Sequence, residues 1–250
     1  MDYRLTQGIK MAEKVLGEWL AVKKGQKLLF MANAATDRDV IDAFIAAAGK
    51  LEAESFVFFK KPHTDNLEEY PKPLAEAIKH VDVYFNMCIK DHCNHALTHL
   101  TACTEYGTRY YMLTAVTMDL LLSPPMQVSA EELKRRGDYL TRELLGQKAK
   151  ITTESGTNLS LEFDKDVIGF ASNSTFERGG MGGLPGGAQH FHPKDGSVNG
   201  VIVCDTIHWV GDTGPQKVRF TIKNDWVTEV AGGPGDLAKQ LWDEMKRVKN

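Results

Sequence analysis

The sequence predicts an α/β protein in which a parallel-sheet, three-layer N-terminal domain is followed by a β-rich α+β domain. Three observations predict this organisation. Apolar runs of strand length alternate with helical segments in the first half, alternating-polarity segments separated by turns dominate the second half, and the character changes between Ser123 and Gln147. Repeated β-α-β units with short connections predict a parallel sheet covered by helices on both faces. We place the boundary at about residue 148, which gives domains 1–148 and 149–250.

The elements of the first half follow in regular order. The first twenty residues form an amphipathic pattern that is typical of a helix. Residues 26–33 are a continuous apolar run of buried-strand length, and Asp37 can cap the helix that follows. Further strands are predicted at 55–59, 81–87 and 108–114, and further helices at 73–80 and 94–106.

The second half begins after Pro124-Pro125, where Ser129 and Glu132 form a capping box for a helix that ends near Gly146. Strands at 150–154 and 158–163 flank a turn at Ser155-Gly156-Thr157. Later strands are predicted at 201–209, 217–222 and 226–230, and a last helix at 235–249. Residues 177–200 are glycine-rich, and we expect them to form a mobile lid or an ordered substrate loop.

Composition excludes several classes of function. A formal net charge of −3 argues against a nucleic-acid surface, and no long apolar run suggests a membrane span. The N-terminus lacks the continuous apolar region of a secretion signal, and four cysteines in such a chain are typical of reduced thiols. We therefore expect a cytoplasmic protein. The first strand-to-helix turn, residues 32–37, contains no glycine, which argues against a dinucleotide site.

Two groups of histidines could bind a metal. His92, His95, His99 and Cys103 follow one another at spacings of three and four, which places them on one stripe of a helix. The core-facing stripe is expected to contain Cys93, Ala96, Leu97 and Leu100. The favoured interpretation is therefore a solvated helix face, with a subunit contact or a metal site as alternatives.

The second group is His190-Phe191-His192. Residues two apart on an extended segment point the same way, so both imidazoles could reach one ion. Asp205 and His208 are candidate companions, and two histidines with one carboxylate would suit non-haem iron. The competing interpretation is a surface loop whose histidines only form hydrogen bonds.

The second half also carries a family resemblance. Its motifs are Gly156-Thr157-Asn158-Leu159, Pro185-x-Gly187 with Pro193, Ser197-x-x-Gly200, and a hydrophobic strand ending in Asp205. These motifs resemble the superfamily of aminopeptidase T-type metallopeptidases and 2,5-dihydroxypyridine 5,6-dioxygenases. The peptidases have a metal-binding glutamate where this chain has Ala188, which favours the dioxygenase branch.

The resemblance implies a metal-dependent enzyme that acts on a small polar or heteroaromatic substrate, with iron-dependent ring opening as the specific expectation. It places most metal ligands of the superfamily in a later segment, beyond the residues matched here. If the chain carries its own site, we expect His190, His192 and Asp205 to bind Fe(II), and Gly187, Asn199 and His208 to contact substrate. The alternatives are an aminopeptidase-like hydrolase using Zn or Co, and a metal-free, non-catalytic or truncated binding subunit. Self-association is expected from the resemblance alone.

Overall fold

The computed structural model describes residues 3–61, 69–89, 96–113, 115–171, 178–184, 186–207 and 210–248. The chain divides into two units. Unit 1 comprises residues 1–138 and 171–189, and unit 2 comprises residues 139–170 and 190–250. Each unit contains its own main sheet.

The described strands and helices closely follow the predicted order. The strands are β1 (Lys27–Ala32), β2 (Glu54–Phe59), β3 (Val83–Asn86), β4 (Arg109–Met112), β5 (Lys148–Thr152), β6 (Asn158–Ala171), β7 (Met181–Gly183), β8 (Gln189–Pro193), β9 (Asn199–Cys204), β10 (Thr206–Ile207), β11 (Gly211–Asp212), β12 (Val218–Lys223) and β13 (Trp226–Gly232). The helices are α1 (Tyr3–Lys14), α2 (Arg38–Lys50), α3 (Lys72–Lys79), α4 (Leu97–Thr101), α5 (Met118–Leu121), α6 (Ala130–Leu144) and α7 (Leu237–Val248). A π-helical turn extends α1 over Val15–Trp19 and another extends α4 over Ala102–Tyr106, and Pro124–Gln127 is a 3-10 turn.

Unit 1 is built on a parallel sheet with the strand order β2-β1-β3-β4-β7. The side chains of its strands alternate between two apolar layers. Phe30, Phe85 and Tyr111 pack in the layer that contains α1 and α2. Leu29, Tyr84 and Tyr110 pack in the opposite layer with α3 and α4. The expected three-layer α/β arrangement is therefore confirmed.

The glycine-rich stretch differs from the expected lid or loop. Residues Met181–Gly183 form β7, which pairs in parallel with β4 in the register Tyr110↔Met181. Backbone bonds from Tyr110 N to Gly180 O (2.9 Å) and from Leu184 N to Met112 O (3.0 Å) continue the pairing on both sides. Glycine is a poor strand former, so its sequence signal indicated a loop, but it permits the close approach of neighbouring chains.

The histidine-bearing helix is rotated relative to the prediction. Leu97 and Leu100, which we expected in the core, are 67% and 54% exposed, whereas His99 is only 1% exposed. Cys103 is also buried. The expected solvated face is therefore wrong for His99 and Cys103, because His99 is accommodated in the core by aromatic rings and a hydrogen bond. His92, Cys93 and His95 lie outside the described residues.

Unit 2 is antiparallel. Its main sheet has the order β13-β12-β9-β6-β5, and β8 also pairs with β6. Thr153 and Gly156 close the predicted turn between β5 and β6, with a bond of 3.1 Å from Gly156 N to Thr153 O. Asn224 and Asp225, both in left-handed conformations, form the turn between β12 and β13. The expected β-rich second half is thus confirmed.

Candidate functional site

His190 and His192 lie on the same face of β8. Phe191 points to the other face, where its ring centroid is 5.2 Å from that of Phe163. Both histidines are exposed, whereas Phe191 is half-buried. The packing of Phe191 on β6 therefore fixes the face on which the two imidazoles lie.

Asp205 lies between β9 and β10, and its groups have partners within unit 2. Its carboxylate forms an ion pair with the ammonium of Lys217. Its backbone carbonyl accepts hydrogen bonds from Thr213 N (2.9 Å) and Thr213 Oγ1 (2.8 Å). These contacts fix Asp205 to the loop that precedes β12.

The pairing along β6 separates Asp205 from the two histidines. Lys194 N donates to Glu162 O (2.8 Å), and Val203 N donates to Thr157 Oγ1 (3.0 Å). Five residues of extended chain between Thr157 and Glu162 span about 17 Å. His192 lies beyond the Glu162 end of this stretch, and Asp205 lies beyond the Thr157 end. Unit 2 therefore does not bring the two residues together.

The expected iron site needs two imidazoles and a carboxylate close together. Within the described ranges, no group of three or more His, Cys, Asp or Glu side chains is arranged to hold a metal ion. His190 and His192 offer two imidazoles, which suit iron, zinc and cobalt alike. The described residues therefore do not complete the expected three-donor set, and His208 lies outside them.

Two of the residues expected to contact substrate have defined structural surroundings. Gly187 has φ +104°, and a Cβ at this position would come 2.9 Å from Leu133 Cδ2. Asn199 Oδ1 accepts a hydrogen bond from Asn224 N (2.9 Å), and its Nδ2 donates to Ser197 O (3.2 Å). The Asn199 side chain therefore connects the turn that precedes β9 with the turn between β12 and β13.

In unit 1, three buried tyrosines surround His99 in a cluster that was not predicted from the sequence. The imidazole stacks on Tyr110 at 4.2 Å between centroids, and its Nε2 shares a hydrogen bond with Tyr70 Oη (3.0 Å). Tyr84 Oη donates to Tyr70 Oη (3.1 Å). The tyrosines come from two strands and a connecting segment, so no spacing in the sequence revealed the cluster.

A carboxylate lies at the edge of this cluster. Glu69 accepts hydrogen bonds from the backbone of Leu97 and from Thr98 N (3.2 Å) and Oγ1 (2.7 Å). Burial alone would raise the pKa of Glu69, but these hydrogen bonds and the nearby His99 hold it below its ordinary value. The carboxylate thus caps the N-terminus of α4 from a different segment.

Two asparagines mark the carboxyl edge of the parallel sheet. The chain adds β2 on one side of β1 and β3 on the other, so the strand order reverses between β1 and β3. In open α/β sheets, ligands bind at the carboxyl ends of the strands beside such a reversal. Asn33 Nδ2 donates to Ile89 O (2.8 Å), and Asn86 Oδ1 accepts from Cys88 N (3.1 Å). Both side chains therefore hold the loops at this edge. Their position at the end of an apolar run is the sequence pattern from which they could have been predicted.

The structure defines a class of protein that combines a parallel-sheet unit with an antiparallel unit. A 2,5-dihydroxypyridine dioxygenase from Pseudomonas putida KT2440 has a similar structure, with a TM-score of 0.70, 17% identity, and coverage of 98% of this chain and 73% of that chain. Wild-type AmpT from Thermus thermophilus is similar with a TM-score of 0.65, 14% identity, and coverage of 95% and 75%. At such identities these similarities show a shared fold. No match was found among curated proteins.

The sequence itself matches the family described as NicX: 2,5-dihydroxypyridine 5,6-dioxygenase over residues 9–249. This protein belongs to that family. The resemblance inferred from the motifs of the second half is therefore confirmed. No described helix is both long and apolar enough to cross a membrane.

Proposed function

We propose that this protein is a dioxygenase that opens the ring of a small heteroaromatic compound of the 2,5-dihydroxypyridine type. The observation that carries the proposal is the family match, which extends over nearly the whole chain from residue 9 to residue 249. Ala188 supports the same branch, because it stands where the peptidases of the superfamily have a metal-binding glutamate. The proposed compartment is the cytoplasm, and the proposed partner is a small molecule together with further copies of the chain.

The proposed cofactor is Fe(II), with His190 and His192 as imidazole ligands. Their common face on β8 supports this assignment, because residues two apart on a strand can reach the same ion. Asp205 was the expected carboxylate ligand, but its ion pair with Lys217 and its distance from β8 make it the weakest member of the set. Gly187, Asn199 and His208 remain the proposed substrate contacts.

The ligand proposal is tested by measuring bound iron after anaerobic reconstitution of the purified protein. His192→Ala is expected to lower the iron bound per chain and His190→Ala to do the same. Asp205→Asn is the matched comparison, because it removes a carboxylate of the expected set that lies far from both histidines. Full iron binding by both histidine variants would contradict the ligand assignment.

The activity is tested by adding 2,5-dihydroxypyridine to the iron-loaded protein and following oxygen with an electrode. Iron-dependent oxygen uptake that requires the compound is the expected result. Uptake that is equally fast without the compound would contradict the proposal.

An aminopeptidase activity is the second candidate, and the structural similarity to AmpT favours it. In that case Zn or Co would activate a water for attack on a peptide carbonyl. Release of N-terminal residues from short peptides by the Co- or Zn-loaded protein, without oxygen uptake, would identify this activity. If the protein binds none of these metals, the non-catalytic subunit interpretation would replace both.

A further inference from the structure

Among the described residues, β2 forms one edge of the sheet of unit 1. Within the described residues β2 pairs only with β1, and its sequence is Glu54-Ser-Phe-Val-Phe-Phe59. Phe56, Val57 and Phe59 are 42%, 37% and 49% exposed. Edge strands of soluble proteins are normally protected by charges, prolines or bulges, and here the central four residues contain none of these.

The apolar side chains of β2 emerge on both faces of the sheet. Phe58 packs against the cluster that contains Tyr70, and Lys60 Nζ lies 5.6 Å from the Tyr70 ring on that same face. On the opposite face, the Arg38 guanidinium lies 5.2 Å from the Phe59 ring. Both apolar layers of unit 1 therefore reach the edge, as they would if the sheet continued beyond β2.

Backbone geometry shows which groups face outwards. Glu54 N donates to Gln26 O (2.8 Å) and Lys60 N donates to Ala32 O (3.0 Å), so the even-numbered residues of β2 direct their backbone groups to β1. The backbone groups of Ser55, Val57 and Phe59 therefore point away from β1. These three residues provide the hydrogen-bonding edge for an added strand.

We propose that this edge binds β2 of a second copy of the chain in antiparallel orientation, with Val57 opposite Val57 of the other copy. Only registers that pair outward-facing residues with one another can form the ladder. In the proposed register Ser55 lies opposite Phe59, and Phe56 lies opposite Phe58. Glu54 then lies opposite Lys60 at both ends of the ladder.

Charge complementarity favours this register, and it favours a second copy of the chain as the partner of β2. A shift of two residues places Glu54 opposite Phe58 in one direction and Lys60 opposite Phe56 in the other. Only the register centred on Val57 pairs each acidic end with a basic end, and opposite charges in directly opposed positions stabilise a sheet. The strand is thus complementary to itself, which a two-fold dimer requires.

The first test uses charge exchange, with sedimentation velocity as the measurement. Glu54→Lys or Lys60→Glu places like charges opposite each other twice per dimer, and we expect the dimer Kd to rise about tenfold or more. The double variant Glu54→Lys/Lys60→Glu restores opposite charges and should return the Kd to near the wild-type value. Circular dichroism melting of each variant separates loss of folding from loss of association.

The second test reads the register directly. Val57→Cys places two thiols on residues about 5.5 Å apart at Cα, within the range of a disulfide. Ser55→Cys is the matched control, because the two copies of residue 55 are offset by four residues, about 13 Å. Mild oxidation should cross-link the Val57→Cys protein as a dimer but neither the control nor the wild type.

Three outcomes would overturn the proposal. One is a wild-type protein that stays monomeric at every soluble concentration. Another is a dimer that both single charge reversals leave intact, which would assign the interface to another surface. The last is cross-linking of the Ser55→Cys control instead of the Val57→Cys protein. Loss of the dimer would leave the proposed ring-opening activity in place, and loss of that activity would leave the dimer in place, so the activity and the β2 interface fail separately.

Discussion

The glycine of the Ser197-x-x-Gly200 motif shows what a single residue contributes. Gly200 has φ +127°, and a Cβ there would overlap with Asn158 O on the neighbouring strand. A backbone atom held in a ladder cannot move aside, so only glycine fits. The motif that supported the family resemblance therefore has a structural reason at this position.

We expect Gly200→Ala to cost about 3 kcal/mol of unfolding free energy or more, because the clash adds to the left-handed backbone penalty. Gly196→Ala is the matched control, since Gly196 has φ +77° and a Cβ there would meet no atom within 4 Å. That control should cost about 1 kcal/mol, the conformational penalty alone. Urea denaturation of the three proteins provides the comparison, and equal losses in both variants would contradict the explanation.

At the scale of single elements, α4 begins without a capping side chain of its own. Its N-cap residue, Ala96, makes no side-chain hydrogen bond, and the carboxylate of Glu69 accepts from the first backbone amides instead. A negative charge at this position also interacts favourably with the helix dipole. The stability of α4 should therefore depend on the ionisation of Glu69.

Because folding lowers the pKa of Glu69 below its ordinary 4.5, its stabilising effect is full above pH 4.5 and is lost as the pH falls through the folded-state pKa. We expect Glu69→Gln to lower the Tm at pH 7, and the difference from wild type to shrink as the pH falls below 4.5. Glu105→Gln, an exposed change on the continuation of the same helix, is the control. A Tm difference that stays constant across this pH range would contradict the capping role.

The strand β7 is the second element for which the structure makes a testable prediction. Amide hydrogen exchange should be slow at Leu184, whose N–H bonds to Met112 O in the sheet. Glu154 is the reference for fast exchange, because it lies exposed in the turn between β5 and β6. Exchange at Leu184 as fast as at Glu154 would favour the mobile lid that the glycine content suggested.

Much of the whole molecule could be predicted from its sequence. Apolar runs indicated β1, β3 and β4, and caps such as Asp37, which accepts from Asp39 N (3.1 Å), placed the helices. The rest depended on tertiary contacts that leave no local pattern. The burial of His99 requires rings from β3 and β4, and the strand character of Met181–Gly183 requires β4 as a neighbour.

The candidate site was only partly predictable for the same reason. Alternation along a strand correctly placed His190 and His192 on one face. It could not show that Asp205 lies far along β6 from them, because strand pairing decides that distance. The family relationship, in contrast, was recognised from motifs whose glycines and turns are fixed by the fold.

The proposed reaction adds both atoms of dioxygen to a heteroaromatic ring. The most direct measurement supplies ¹⁸O₂ and 2,5-dihydroxypyridine to the iron-reconstituted protein and determines the mass of the product. We predict a ring-opened product in which a single molecule carries two ¹⁸O atoms and which forms only with iron-loaded protein. Recovery of the unchanged pyridine, or a product without ¹⁸O, would contradict the proposed activity.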